Sequence, residues 1–190
     1  MKKILVINNG TIHLKKLLSL LPEEVTVVDY TNITPPQIRE ADIFILTGSS
    51  TLPVRGNEKV FSKETGIILS SGKPVIGICL GCELIATAFG ATLKSLGQKR
   101  QGLINIVATP SKDHILEAGR NFSVYEGHKW AIDSLPLEIF DILAQSPDGP
   151  EIIKHRTLPL WGFQFHPEHM TDETLGDEIF LNILHRSLHA

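Results

Sequence analysis

The most regular feature along the chain is a recurrence of short, unbroken aliphatic runs, at Ile4–Ile7, Val25–Val28, Ile43–Leu46 and Val75–Ile78. A strand with one buried face alternates apolar and polar residues, whereas an uninterrupted run fits a strand covered on both faces, as in a parallel sheet. Between the runs the apolar spacing becomes helical. Leu14, Leu17, Leu18 and Leu21 follow the first run, a short segment around Ile38 follows Pro35 and Pro36, and Val60 to Leu69 follows the third. This alternation predicts an α/β fold: a doubly wound, mostly parallel sheet with helices on both faces. A further helix, Glu83 to Phe89, stops at Gly90.

The second half changes character. Shorter β-like segments at Leu103–Ala108, Phe122–Tyr125, Phe140–Ala144, Glu151–Ile153 and Leu160–Phe165 are divided by Pro and Gly turns, which predicts a mixed or antiparallel extension of the sheet. A closing amphipathic helix is expected over Asp177 to Leu188, with Ile179, Phe180, Ile183 and Leu184 on one face. No repeat or linker divides the 190 residues, so one domain over 1–190 is expected.

Composition narrows the function classes. A 42% hydrophobic and 21% charged chain is not of the disordered type. A formal charge of −3 supplies neither a basic footprint for nucleic acid nor a polybasic face for membranes, so small molecules or another protein are the expected partners. The apolar run after Lys2 and Lys3 ends at Asn8 and Asn9, too short for a secretion signal, and the chain reads as cytoplasmic. Two cysteines, Cys79 and Cys82, do not make a disulfide framework.

Cys79 stands in the sharpest local pattern. Pro74-Val75-Ile76-Gly77-Ile78-Cys79-Leu80-Gly81 is an apolar strand ending in Gly-x-Cys-x-Gly and running into a helix, the layout of a nucleophile elbow with Cys in place of Ser. Glycines leave room where the backbone turns sharply, and a helix N-terminus favours thiolate over thiol. The competing reading is an inert thiol in a buried strand. With Cys82 it also forms a C-x-x-C spacing, which occurs in redox and zinc sites. The turn lacks the proline of a thioredoxin-like site and no second C-x-x-C is present, so Cys82 is read as packing.

A nucleophilic cysteine needs a base, and the chain has eight histidines: His13, His114, His128, His155, His166, His169, His185 and His189. His166 alone follows a buried strand, in Trp161-Gly162-Phe163-Gln164-Phe165-His166-Pro167-Glu168. In extended backbone residues i and i+2 share a face, which would let the Glu168 carboxylate orient the imidazole. A surface His and Glu after a strand is the alternative. The i,i+3 pair His166 and His169 is not read as a metal site, because Pro167 opposes the helix that would align them; no metal is expected. The other histidines are expected at the surface or in packing.

In this order the two segments resemble the class I glutamine amidotransferases. Gly77-Ile78-Cys79-Leu80-Gly81-Cys82-Glu83-Leu84-Ile85-Ala86 is similar to the family's G-I-C-L-G-H-Q-L-I-A, and Gly162-Phe163-Gln164-Phe165-His166-Pro167-Glu168 to its G-V-Q-F-H-P-E. The resemblance implies that Cys79 attacks the side-chain amide of glutamine, His166 protonates the departing ammonia and water hydrolyses a glutamyl thioester, with no cofactor. It implies oxyanion donors at Leu80 N–H and in Leu46-Thr47-Gly48-Ser49-Ser50, where Gly48 and Ser49 stand in the family's L-S-G-G-P. Without the other motifs that loop reads as a polar turn.

Ser49 replaces a glycine of the family, Glu83 a glutamine that helps hold the substrate, and Trp130 an aspartate. Val124-Tyr125-Glu126-Gly127-His128-Lys129-Trp130 resembles V-W-E-S-H-x-D, whose backbone grips the substrate's α-amino and carboxylate groups, so Gly127, His128, Lys129 and Trp130 join the expected substrate contacts. That segment, the approach from Lys154-His155 to Pro159, and Thr174 to Asn182 against T-x-x-G-x-E-I-F-x-N look most like the separately encoded glutaminase subunits of GMP synthetase. The resemblance thus implies an ATP-dependent synthetase as partner. A stand-alone hydrolase of γ-glutamyl compounds and a non-catalytic binding protein on the same fold are the competing readings.

Overall fold

A computed structural model describes residues 2–22, 24–111 and 115–189, and His114 lies outside the described residues. The first half forms β1 (Ile4–Asn8), α1 (Leu14–Leu20), β2 (Val25–Asp29), α2 (Pro35–Glu40), β3 (Ile43–Leu46), α3 (Ser62–Ser70), β4 (Val75–Ile78) and α4 (Leu80–Ala88). The second half forms β5 (Thr92–Ser95), β6 (Gly102–Ala108), β7 (Asn121–Glu126), β8 (Trp130–Ser134), β9 (Phe140–Ser146), β10 (Gly149–His155), β11 (Leu160–Phe163) and α5 (Gly176–His189). Nine strands make one sheet in the order β2-β1-β3-β4-β11-β10-β9-β6-β7. From β2 to β11 neighbours run parallel, and from β11 to β7 they are antiparallel.

The unbroken aliphatic runs are explained by the two faces of this sheet. Ile4, Val6, Ile43, Ile45, Ile76 and Ile78 pack in one core with Leu17 of α1 and Ile179, Phe180, Ile183 and Leu184 of α5. Leu5, Ile7, Phe44, Leu46 and Val75 pack on the other face with Ile67 and Ile68 of α3 and Leu84 and Ile85 of α4. Successive side chains of a strand point to opposite faces, so only an uninterrupted run can serve both cores. Among the described residues no helix is long and apolar enough to cross a membrane.

Several elements depart from the sequence pattern. β2 is an edge strand rather than one buried on both faces: Thr26, Val27 and Asp29 are exposed. The helix after Cys79 starts at Leu80, three residues before the expected Glu83, because it springs directly from the elbow. Val60 and Leu69, expected to lie on one helix, are both exposed, and α3 begins at Ser62. β11 ends at Phe163, two residues before Phe165. A small antiparallel pair, β5 with β8, has no counterpart in the aliphatic pattern, since Thr92-Leu93-Lys94-Ser95 and Trp130-Ala131-Ile132-Asp133-Ser134 are short and polar at their ends.

Candidate active site

Three adjacent parallel strands end at the same edge of the sheet. Leu46 pairs with Gly77, and Ile78 pairs with Phe163. The residues just beyond these ends therefore meet: Gly48 two after β3, Cys79 one after β4, His166 three after β11. Ligand sites of open α/β sheets form at this carboxyl edge. Cys79 N–H donates to the Phe163 carbonyl at 2.7 Å, tying the elbow to the strand that leads to the histidine.

The elbow differs in detail from the simple turn argument. Cys79 itself carries the unusual backbone, φ 51° and ψ −104°, in a region that costs a non-glycine residue about 1–3 kcal/mol. Neither Gly77 nor Gly81 has positive φ. They are required by packing. A Cβ on Gly77 would lie 2.3 Å from the Gly81 carbonyl group, and a Cβ on Gly81 would lie 2.3 Å from the Leu46 carbonyl oxygen. The motif lets α4 lie directly on β3 and β4, and that close seating holds Cys79 in its strained conformation.

His166 and Glu168 meet as expected, but not through extended backbone. His169 N–H donates to the His166 carbonyl, so the segment is a tight turn, and within it Nδ1 of His166 lies 2.9 Å from Oε1 of Glu168. Both side chains are buried. A carboxylate oxygen accepts, so Nδ1 carries the hydrogen and in a neutral ring Nε2 keeps its lone pair. Gly48 and Gly127 flank the imidazole. A Cβ on Gly48 would lie 3.1 Å from Cε1 of His166 and 3.8 Å from Sγ of Cys79, and one on Gly127 would lie 3.3 Å from Nε2.

The helix N-terminus, expected to favour the thiolate of Cys79, is opposed by other influences. Burial pushes the thiol well above its ordinary value, the charges of Glu83 and Glu168 push the same way, and the hydrogen bond from Leu80 N–H opposes them without prevailing. Together these influences favour the thiol over the thiolate. Leu80 N–H donates to the sulfur.

A cavity of about 470 Å³ opens over Cys79 and His166 and is lined by Ser49, Leu80, Glu83, Gly127, His128, Lys129 and Trp130, so the expected substrate contacts converge on one space. Gly48 packs against Cys79 and His166 themselves. Ser49 uses its hydroxyl to accept from Thr51 N–H and Leu52 N–H at 3.2 and 3.1 Å, which shapes the loop at the cavity wall. The loop is moored from below by Asn9, whose N–H donates to Thr47 Oγ1 and whose amide donates to the Thr47 carbonyl. The carbonyls of His128 and Lys129 accept from Arg100 and Leu96 N–H, so these two groups are already engaged. Arg55 lies 5.5 Å over the Trp130 ring.

Glu83 is buried beside Cys79, and burial pushes its carboxyl up to about 7, against a hydrogen bond donated by Gln164 Nε2. Cys82 fills the space over Gly162, where a Cβ would meet its Sγ at 2.6 Å, in keeping with packing. Both cysteines are free.

Of the histidines expected at the surface or in packing, His13 instead lines the cavity, while His128 was already among the expected contacts. His13, at the start of α1, lines the cavity with its ring centroid 5.1 Å from that of His166, and His169 lies 4.7 Å from His13 while stacking on Tyr125. Burial and the neighbouring His166 lower His13 to about 4, so it is neutral near pH 7. His128 is buried in the loop. The signal for His13 was its position just past β1, at the same sheet edge as Cys79.

This fold, with Cys79, His166 and Glu168 gathered at one sheet edge, is that of a glutamine amidotransferase of class I: the family profile matches residues 5–186, and the chain belongs to that family. Among relatives, a subunit of the glutamine-hydrolysing GMP synthase from Methanothermobacter thermautotrophicus is 33% identical over 94% of this chain and 95% of its own. The corresponding protein from Methanocaldococcus jannaschii is 36% identical, with 61% of each chain covered. Component 2 of anthranilate synthase from Thermococcus kodakarensis is 31% identical over 81% of this chain and 76% of its own. A solved structure assigned to a GMP synthase subunit from Thermoplasma acidophilum superposes with a TM-score of 0.84 at 25% identity, covering 100% of this chain and 95% of the other.

Proposed function

We propose that this chain hydrolyses the side-chain amide of glutamine through Cys79, His166 and Glu168 and passes the ammonia to an ATP-dependent synthetase, in first place GMP synthetase. The observation that supports the reading is that Cys79 and His166 line one cavity while Nδ1 of His166 lies 2.9 Å from Oε1 of Glu168.

In the reaction, Nε2 of His166 takes the thiol proton as Sγ attacks the amide carbon. The oxyanion that forms accepts from Leu80 N–H and from a donor of the Gly48–Ser49 loop. On collapse the C–N bond breaks, the nitrogen takes the proton from His166 and ammonia leaves the glutamyl thioester. Water then loses a proton to Nε2, adds to the thioester and expels the sulfur, which recovers its proton, giving glutamate. Glu168 holds the ring and stabilises the imidazolium in both halves.

Glutamate release from glutamine, with and without the synthetase, tests the proposal. Activity in the native chain that is lost in Cys79→Ala is expected. Faster cleavage of γ-glutamyl peptides than of glutamine would replace this reading with a stand-alone γ-glutamyl hydrolase. Failure of a glutamine-mimicking diazo-ketone to label Cys79, together with no turnover when the synthetase is present, would leave a binding protein.

A further inference from the structure

Behind the wall of the cavity, three buried side chains meet that take no part in the proton transfers proposed above, although one of them, His128, also lines the cavity. Glu126 ends β7, His128 follows in the turn, and Glu151 comes from β10. One potential ligand atom of each lies within 4.8 Å of the other two. The residues are 0%, 3% and 1% exposed. In sheet order β9 and β6 intervene between β7 and β10. Strands spaced about 4.8 Å apart would put them roughly 14 Å from one another in a flat sheet, so the end of the sheet curls to bring them together.

Hydrogen bonding leaves the group with lone pairs facing lone pairs. Nδ1 of His128 lies 2.7 Å from the Trp130 carbonyl oxygen, which only accepts, so Nδ1 carries the hydrogen. In a neutral ring Nε2 then presents its lone pair, and it faces Oε1 of Glu126 at 3.5 Å. Nε2 of His128, both oxygens of Glu126 and Oε2 of Glu151 are all buried without a hydrogen-bond partner. Oε1 of Glu151 accepts from the Ser146 hydroxyl at 2.8 Å. Three acceptors gathered away from water, one from each residue, repel one another unless positive charge sits among them.

We propose that Glu126, His128 and Glu151 form a divalent-cation site, with zinc the ion best suited to one imidazole nitrogen and two carboxylate oxygens. Ligand atoms that share a tetrahedral zinc at about 2.0–2.1 Å lie roughly 3.3–3.4 Å apart. The 3.5 Å between Nε2 of His128 and Oε1 of Glu126 is close to that spacing. The outer contacts also match a metal site: a backbone carbonyl holds the far nitrogen of His128 and a serine hydroxyl holds the far oxygen of Glu151. The ion ties the end of β7 and the turn that follows it to β10, which backbone pairing does not join to β7 directly. This inference is independent of the proposed reaction.

Two protons could relieve the same lone pairs, one on Nε2 of His128 and one on Glu151, so the experiment must separate metal from protons. The native chain is stripped with a chelator and titrated with zinc alone, then with cobalt as an optical probe. One equivalent per chain, a higher melting temperature, and weak visible cobalt bands without thiolate charge-transfer absorption are expected. Glu126→Gln with Glu151→Gln, whose amides mimic protonated carboxyls, should bind roughly a hundredfold more weakly. No uptake of either metal, cobalt bands of thiolate type, or undiminished binding by the double variant overturns the site. Should the double variant not fold, anomalous diffraction from zinc-soaked native crystals decides, by a peak bonded to Nε2 of His128 or its absence there.

Discussion

Gly81→Ala tests how Cys79 is held. The added Cβ would lie 2.3 Å from the Leu46 carbonyl oxygen and 2.8 Å from its Cβ. A carbon meets such an oxygen comfortably at about 3.3 Å, so α4 and β3 must part by roughly 1 Å. Backbone stands on the β3 side, and no flexible side chain can swing away. Overpacking costs about 1–3 kcal/mol, and this rigid contact belongs near 3. At roughly 2–4 °C per kcal/mol for a chain of this size, the melting temperature should fall by about 6–12 °C. Because β3 leads to Gly48 and α4 begins at Leu80, the same movement separates the proposed oxyanion donors from the sulfur. A misplacement of about 1 Å can lower turnover roughly a hundredfold. Thermal unfolding by circular dichroism and glutamine turnover at a temperature where the variant is folded measure the two effects. Gly66→Ala is the control: its Cβ would meet nothing within 4 Å inside α3, and it should stabilise by about 0.5–1 kcal/mol. Native-like melting and turnover in Gly81→Ala would refute the packing account of the Gly-x-Cys-x-Gly motif.

Glu64 on α3 is buried, and its carboxyl is pushed by burial up to about 7 from an ordinary 4.5. Protonated in both states at low pH, it costs nothing there; as pH rises past 4.5 the unfolded form ionises first, and above about 7 the full penalty of burying the charge applies. That penalty is about 3 kcal/mol, so Glu64→Gln should raise stability by roughly 2–3 kcal/mol on the alkaline side and leave it unchanged at low pH, as urea unfolding at both pH values would show. Glu83→Gln should speed alkylation of Cys79 several-fold above pH 7, where the carboxylate it removes opposes thiolate formation, and should have little effect well below that pH. An equal effect at both ends of the pH range would show that charge is not the cause.

Much of the site was legible because it is built from the ends of adjacent strands. Gly77 to Gly81 and His166 to Glu168 are local patterns, and the parallel register of β4 and β11 delivers their chemistry to one edge without further instruction. His13 was missed because nothing in its immediate neighbours distinguishes it; only the order of strands puts it beside His166. The pairing of β5 with β8 was missed because it is polar and short, so no hydrophobic period announces it.

The chain's own pattern determined the doubly covered sheet and singled out the candidate nucleophile, its base and the orienting carboxylate, since each depends on periodicity or on residues within a few positions. The tertiary structure alone decided that burial and the Glu168 carboxylate weigh against a Cys79 thiolate, opposing the amide at the helix end. It also decided that Gly81 serves packing, because the clash it avoids is with Leu46, far away along the chain. The convergence of Glu126, His128 and Glu151 belongs to the same class. It depends on the curl of a sheet, a long-range property that no local spacing encodes.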